Sequence, residues 1–232
     1  MIEFKSFASG SSGNMYTVDD GTTKIMIEAG INIKRIKKAL NFQVTHLAGA
    51  LISHSHGDHN SAVKDVLDLG VNCHMSKVTA EETGVNHHRV KIFESLKPFK
   101  IGTLMILPFP VQHDVENHGF LIQSDQGERL LFLTDSYYCK YKFENLNYIA
   151  IECNYSQKIL QENVESGRVP EFLMNRVMQS HFSLENLLVF LKANDLSRVQ
   201  EIHLLHLSDS NSNEIEFKQA VQAATGKLVY VA

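Results

Sequence analysis

Apolar and polar positions alternate along the chain in short blocks of two periods. Ile2–Phe7 alternates with period two, which predicts a strand. Met15–Val18 and Lys24–Glu28 predict two more, joined around Asp20-Gly21, a dipeptide suited to a hairpin turn. Asn32–Leu40 places Ile33, Ile36 and Leu40 on one side and lysines on the other, which predicts a helix. Leu47–Ser53 is an apolar run that ends on a histidine cluster. A helix over Ser61–Leu69 stops at Gly70, a strand covers Val71–Met75, and a short helix over Lys77–Thr83 closes at Gly84.

Further strands are expected at Leu104–Phe109, Gly119–Gln123, Arg129–Thr134, Tyr148–Glu152, Glu201–Leu205 and Leu228–Val231. Ser156–Glu165, Pro170–Met178, Leu184–Ala193 and Asn213–Ala224 carry helical patterns. There is no repeat of fixed period and no low-complexity linker. Strand-rich halves with interleaved helices suggest an α/β fold of two sheets covered by helices, a four-layer αββα sandwich. A single domain over residues 1–232 is expected.

Composition narrows the class. Apolar residues make up 44% of the chain, enough for a sizeable core. The formal net charge of −4 does not advertise nucleic-acid binding, although a local basic patch fits within an acidic total. Lys34, Arg35, Lys37 and Lys38 cluster, as a solvated helix face does. Cys73, Cys139 and Cys153 are widely spaced and odd in number, so a disulfide framework and a cysteine zinc knuckle are not expected, and a reducing cytoplasm fits best. No stretch approaches a membrane span, so no membrane partner is expected. The N-terminus lacks a signal-peptide core and is read as the mature start.

The twelve histidines change the picture, since histidine is the commonest protein metal ligand. Ser53-His54-Ser55-His56-Gly57-Asp58-His59 carries four donor residues in six positions, after an apolar strand and before a helix. A regular strand would send His54 and His56 to one face, so that both reach one ion. Gly57 permits the chain to turn, aiming Asp58 and His59 at a second position. Two-metal hydrolytic sites need ions about 3.5–4 Å apart, which suits this spacing. One cluster cannot complete two shells. His113, Asp135 and His206 each stand just past an apolar run, and they are the candidates for the rest. His46, His74, His87, His88, His118 and His203 are read as non-ligands; His203 and His206 should face opposite ways.

The HxHxDH cluster, followed by a spaced His, Asp and His, resembles the metallo-β-lactamase superfamily. Phe7-Ala-Ser-Gly-Ser-Ser-Gly-Asn14 is similar to the opening of its YycJ/WalJ-type branch of bacterial metal-dependent nucleases. The resemblance implies that His54, His56 and His113 hold one metal, that Asp58, His59 and His206 hold the other, and that Asp135 bridges them. The cofactors it implies are two divalent ions, Zn²⁺ or Mn²⁺, and mixed imidazole and carboxylate ligands admit either.

Ile149-Ala-Ile-Glu152 and Ser180-His181-Phe-Ser183 resemble elements of nucleic-acid-processing members, in which such a Glu and His pair and the His serves the leaving group. That carries to Glu152 and His181 as catalytic residues, with Asp58 orienting the nucleophile as well as ligating. An ordinary strand-end carboxylate and a helix capped by Ser183 are the plain alternatives. The branch usually continues Glu-Ser-Asn-His-Asp; here the residues are Glu152-Cys153-Asn154-Tyr155-Ser156, which puts the substrate preference in question. Ser11, Ser12 and Asn14 are candidates to meet a substrate phosphate, or else simply form a tight loop.

The expected enzyme is a metal-dependent phosphodiesterase, foremost a DNA exonuclease using a hydroxide activated by two metals. The alternatives are a hydrolase of a small phosphodiester such as a cyclic nucleotide, an acyl hydrolase acting on a lactam, lactone or thioester, and a non-catalytic metal-binding module. DNA or another phosphodiester is the expected partner, and a homodimer is compatible with the sequence.

Overall fold

The computed structural model describes all residues from Met1 to Ala232, which form two compact units. The first comprises residues 1–110 and 115–129, the second residues 111–114 and 130–232.

The first unit contains β1 (Glu3–Ala8), β2 (Met15–Asp19), β3 (Lys24–Ile27), α1 (Ile33–Ala39), β4 (Gly49–Leu51), α2 (Gly57–Asn60), α3 (Val63–Asp68), β5 (Cys73–Met75), α4 (Lys77–Glu82) and β6 (Val90–Ile92). These strands form a six-stranded sheet in sequence order. β1 to β3 pair antiparallel, with the hairpin at Asp20-Gly21, and β3 to β6 pair parallel. Ile27 stands opposite Leu51, so the residues after β3 and those after β4 leave the sheet at the same end. The core beneath includes Met15, Met26, Ile36, Ala50, Val66 and Met75. It is fed by the buried face of α1, whose N-cap Asn32 accepts a hydrogen bond from the Lys34 amide.

β7 (Phe99–Ile101), β8 (Leu104–Val111) and β9 (Asn117–Gln123) follow. β8 runs past Phe109, where the sequence pattern ends it, through Pro108 and Pro110 to Val111. Its pairing with β7 stops at Ile106, so neither proline is asked for an amide hydrogen on that side. The sequence pattern also passed over β6 and β7, which at three residues each are too short to show a period.

The second unit holds β10 (Arg129–Leu133, entered from the first unit by Arg129), β11 (Tyr148–Glu152), α5 (Gln157–Glu165), α6 (Glu171–Ser180), α7 (Leu184–Lys192), β12 (Glu201–Leu205), α8 (Glu214–Thr225) and β13 (Leu228–Val231). β10, β11, β12 and β13 are parallel neighbours. Leu133 pairs with Ile151, and Glu152 with Leu205, so the segments after β10, β11 and β12 emerge together at one end. β10 and β11 are buried almost throughout, as parallel strands covered on both faces are. All three cysteines are buried and free of disulfides. No helix is long and apolar enough to cross a membrane.

Candidate metal centre

In the first unit the donors sit just past the carboxyl end of β4. The strand ends at Leu51, so His54 and His56 lie on an extended bend rather than on the strand itself. Their nitrogens converge nonetheless: His54 Nε2 is 3.2 Å from His56 Nδ1. His54 is fully buried, and its Nδ1 meets the Ser53 hydroxyl at 2.8 Å, which leaves Nε2 to face inward. His56 stands just before the short α2, which carries Asp58 and the buried His59. His59 Nε2 is 3.4 Å from Asp58 Oδ2, and the His54 and His59 rings lie 4.1 Å apart between centroids.

Two neighbouring segments fix this loop. The Asn14 amide donates to the Asp58 carbonyl at 2.8 Å, and the Ala29 amide donates to the His59 carbonyl at 2.8 Å. The Asn14 side chain is buried, bonding Gly10 at 2.9 Å and reaching His59 Nε2 at 3.0 Å. Asn14 thus binds the serine–glycine turn to the histidine loop, whereas Ser11 and Ser12 are exposed on that turn. Gly30 packs so closely that a Cβ there would lie 1.6 Å from the Asp58 carbonyl oxygen.

Glu28, which no motif in the sequence singles out, follows β3 with a φ of +63°. It is fully buried, and its Oε2 lies 3.5 Å from His59 Nδ1. A carboxylate behind a histidine orients the ring and raises the basicity of its other nitrogen. The available signal was an acid ending the apolar run Lys24-Ile-Met-Ile.

In the second unit, Asp135, Glu152, His181 and His206 present ligand atoms within 4.8 Å of one another. Asp135 and His206 follow β10 and β12 with φ values of +50° and +52°, a region side chains other than glycine rarely adopt. Such positions persist where the surroundings over-determine them, and they gather at functional sites. His206 Nδ1 lies 2.5 Å from Asp135 Oδ1 and 3.2 Å from Glu152 Oε1. The Asn154 side chain donates to the His206 carbonyl at 2.8 Å and holds its backbone.

Glu152 is the hub. Its Oε2 accepts from the Ser136 amide at 3.0 Å and the Phe182 amide at 3.1 Å, while Oε1 meets His181 Nδ1 at 2.6 Å. His181 follows α6 and its side chain is one-fifth exposed, at 21%. His113 Nδ1 donates to the Ser180 carbonyl at 2.9 Å, which turns Nε2 away from that bond, and its ring lies 5.7 Å from that of His181.

The electrostatics of this half favour a cation. Burial works against a charged His206, but Asp135 and Glu152 overcome it and push its pKa up to about 10. Burial likewise opposes charge on His181, and the Glu152 carboxylate overrides it and raises the pKa. Burial works to raise the Glu152 pKa, yet the two histidines hold it below the ordinary value. Asp135 and Glu152 thus draw protons onto His181 and His206, whereas burial holds His113 below the ordinary imidazole value, so the negative charge to spare lies around the two carboxylates. This donor set fits a divalent cation, and so, taken by itself, does the histidine and aspartate cluster of the first unit.

The other histidines pack. His118 stands edge-on to Phe93 at 5.1 Å, His74 stacks on Phe99 at 5.1 Å, and His203 stacks on Tyr230 at 5.0 Å. Where the branch has His-Asp, Tyr155 is buried against Leu160 and Val169, and Ser156 precedes α5. Ser183 caps α7 by accepting from the Asn186 amide, and His181 pairs with Glu152 as well, so that motif serves both ends.

Comparison with known proteins identifies the family. A family profile described as "Beta-lactamase superfamily domain" matches residues 23–203. The exodeoxyribonuclease WalJ of Streptococcus pneumoniae is 27% identical over 229 residues, covering 91% of this chain and 83% of that protein. The exodeoxyribonuclease YycJ of Bacillus anthracis is 24% identical, covering 92% of this chain and 86% of that protein. Among solved structures, the metallo-β-lactamase fold protein YhfI of Bacillus subtilis superposes with a TM-score of 0.75 at 15% identity, over 100% of this chain and 97% of that one. The chain belongs to the β-lactamase superfamily and is a hydrolase of the metallo-β-lactamase fold, similar along nearly its whole length to the WalJ and YycJ proteins.

Proposed function

We propose that the chain is a divalent-metal-dependent phosphodiesterase that degrades DNA from an end. In this reading His54, His56 and His113 would hold one ion, Asp58, His59 and His206 would hold the second, and Asp135 would serve both. Zn²⁺ and Mn²⁺ both suit such ligands. When bound, the ions supply an activated water and stabilise charge on the phosphoryl oxygens.

The observation that carries the reading is the Glu152–His181 pair at 2.6 Å, inside the cluster with Asp135 and His206. Cleavage of a phosphodiester expels an alkoxide, which needs a proton. His181 has Nδ1 committed to Glu152, so Nε2–H is the proton offered to the departing oxygen. Glu152 cannot swing away, because the Ser136 and Phe182 amides hold its other oxygen. It keeps His181 charged and aimed. Asp58 orients the nucleophile as well as ligating.

Two relatives that match about nine-tenths of the chain bear the name exodeoxyribonuclease, which supports DNA as the substrate. The net charge of −4 favours a second reading, hydrolysis of a small phosphodiester such as a cyclic nucleotide. The deciding experiment strips the protein with chelator and reloads it with Mn²⁺ or Zn²⁺. It is then offered end-labelled DNA, RNA, cyclic nucleotides and a lactam. Progressive shortening of DNA from one end is expected. Rapid turnover of cyclic nucleotides with intact DNA would move the assignment to the second reading, and lactam opening alone would defeat both.

A further inference from the structure

Tyr16 is fully buried on β2, where its ring stacks on Phe4 with centroids 5.7 Å apart. A phenylalanine would serve that packing. A buried phenol must also find partners for its hydroxyl. The Tyr16 hydroxyl meets Ser9 Oγ at 2.8 Å and donates to Asn14 Oδ1 at 2.9 Å. With its one proton given to Asn14, it accepts from Ser9.

Asn14 carries this order one step further. Its Oδ1 also accepts from the Gly10 amide at 2.9 Å. A backbone N–H only donates, so the atom facing it is the oxygen, and the side-chain amide has a single orientation. Nδ2 is left to face the Gly10 and Asp58 carbonyls at 3.2 Å each, Asp58 Oδ2 at 3.5 Å and His59 Nε2 at 3.0 Å. Asp58 Oδ2 and His59 Nε2 stand 3.4 Å from each other, so one donor lies against both. A ring nitrogen that faces a donor shows it a lone pair, which places the His59 proton on Nδ1, the nitrogen 3.5 Å from Glu28 Oε2. In that form Nε2 can ligate a cation. The amide has more acceptors than hydrogens, so it can release Nε2 to an ion without leaving a buried donor unsatisfied.

We propose that Tyr16 is a positioning residue for the metal centre: its hydroxyl locks the Asn14 amide, and the amide keeps His59 Nε2 bare with Asp58 Oδ2 beside it. Asn14 is not itself a ligand, because Gly10 and Tyr16 engage its oxygen. From Ser9 through Tyr16 and Asn14 to His59 the hydrogen bonds run in one direction, an arrangement in which each bond polarises the next. Partners behind a ligand set its aim and its affinity for the ion. The proposal rests on the reading of Asp58 and His59 as ligands and adds to it what prepares them.

The test reads metal uptake and the histidine ring, with turnover as a separate arm. Metal-free wild type, Tyr16→Phe, Asn14→Ala and the double variant are titrated with Zn²⁺ against a chelating dye. Tyr16→Phe keeps the ring and its stacking. It should weaken one of two binding steps about ten-fold and leave the other unchanged. In the Asn14→Ala background the same substitution should add nothing, because the hydroxyl acts through the amide. The second readout uses metal-free protein with ¹⁵N-labelled histidine, in which the His59 signals are those lost in His59→Gln. The ring proton should sit on Nδ1 in wild type and be shared with Nε2 in Tyr16→Phe. Loss of packing alone would not move that proton, so this signal decides the matter if Asn14→Ala fails to fold. Equal Zn²⁺ affinity for Tyr16→Phe, additive effects of the two substitutions, or a wild-type ring protonated on Nε2 overturns the proposal. Wild type that takes up no Zn²⁺ removes the ligand reading and the proposal with it. The expected loss of affinity in a protein that cleaves no phosphodiester keeps the proposal and removes the phosphodiesterase reading alone.

Discussion

The two units build their donor sets by different means. In the first, four donors lie within the six residues His54–His59, and backbone contacts hold them: Asn14 to the Asp58 carbonyl, Ala29 to the His59 carbonyl, and Gly30 pressed against Asp58. In the second, His113, Asp135, Glu152, His181 and His206 come from five separate segments. Parallel register brings three of them to one end, and the Glu152 carboxylate ties the group together. The first half is a local motif with fitted packing, and its weak point is shape. The second is an assembly around a buried charge, and its weak point is charge.

The sharpest way to break the first half is Gly30→Ala. A Cβ 1.6 Å from one backbone oxygen and 2.8 Å from the Asn14 nitrogen leaves nothing flexible to yield. A loss of about 4 kcal/mol or more is expected, with a lowered melting temperature and no metal uptake. A variant that melts like the wild type would show that the loop yields. Next comes a paired test of the second half. His181→Ala should retain metal by elemental analysis while kcat falls roughly 10²–10⁴-fold. His56→Ala should lose both metal and turnover. A fully active His181→Ala protein would remove the proposed acid.

Glu28→Gln is milder. It keeps the shape and removes the charge behind His59, so metal affinity should fall roughly 10–100-fold with the fold intact, as read by competition with a chelating dye. An unchanged affinity would make Glu28 a packing residue only.

The smallest effect is expected outside both sets, at Asp20. Burial works to raise its pKa, but bonds from Thr103, Thr23 and Thr22 outweigh it and hold the value below the ordinary 3.8. The group is therefore more acidic folded than unfolded. Its contribution is present above about pH 4 and is lost as pH falls through the folded value. Asp20→Asn should flatten the acid limb of urea-melt stability below about pH 4 and leave metal binding alone. An unchanged limb would assign that acid sensitivity to other carboxylates.

Much of the fold was legible because long periodic blocks fold locally. Tyr148–Glu152, Glu201–Leu205 and Leu228–Val231 match the expected strands to the residue, and the helix expected over Leu184–Ala193 forms over Leu184–Lys192. Three-residue strands such as Val90–Ile92 were not legible, since pairing rather than pattern makes them strands. The HxHxDH run was legible as a donor cluster, yet the reason its histidines converge was misplaced. The pattern alone expects them on one face of a strand, and they lie on a bend beyond it. The Ser/Gly opening left a phosphate contact and a tight loop equally open; the buried Asn14, bonded back to the histidine loop, gives it a positioning part.

The sequence by itself determined which residues can ligate and where β11 and β12 end, because donor chemistry and hydrophobic period are properties of the local chain. Only the tertiary structure decided that Glu28 backs His59, that Glu152 joins His181 to His206, and that Asn14 faces His59. These relations depend on strand register and on loops forced into left-handed backbone at Glu28, Asp135 and His206. A single chain's pattern does not encode such geometry, since it exists only once distant segments have packed and over-determined it.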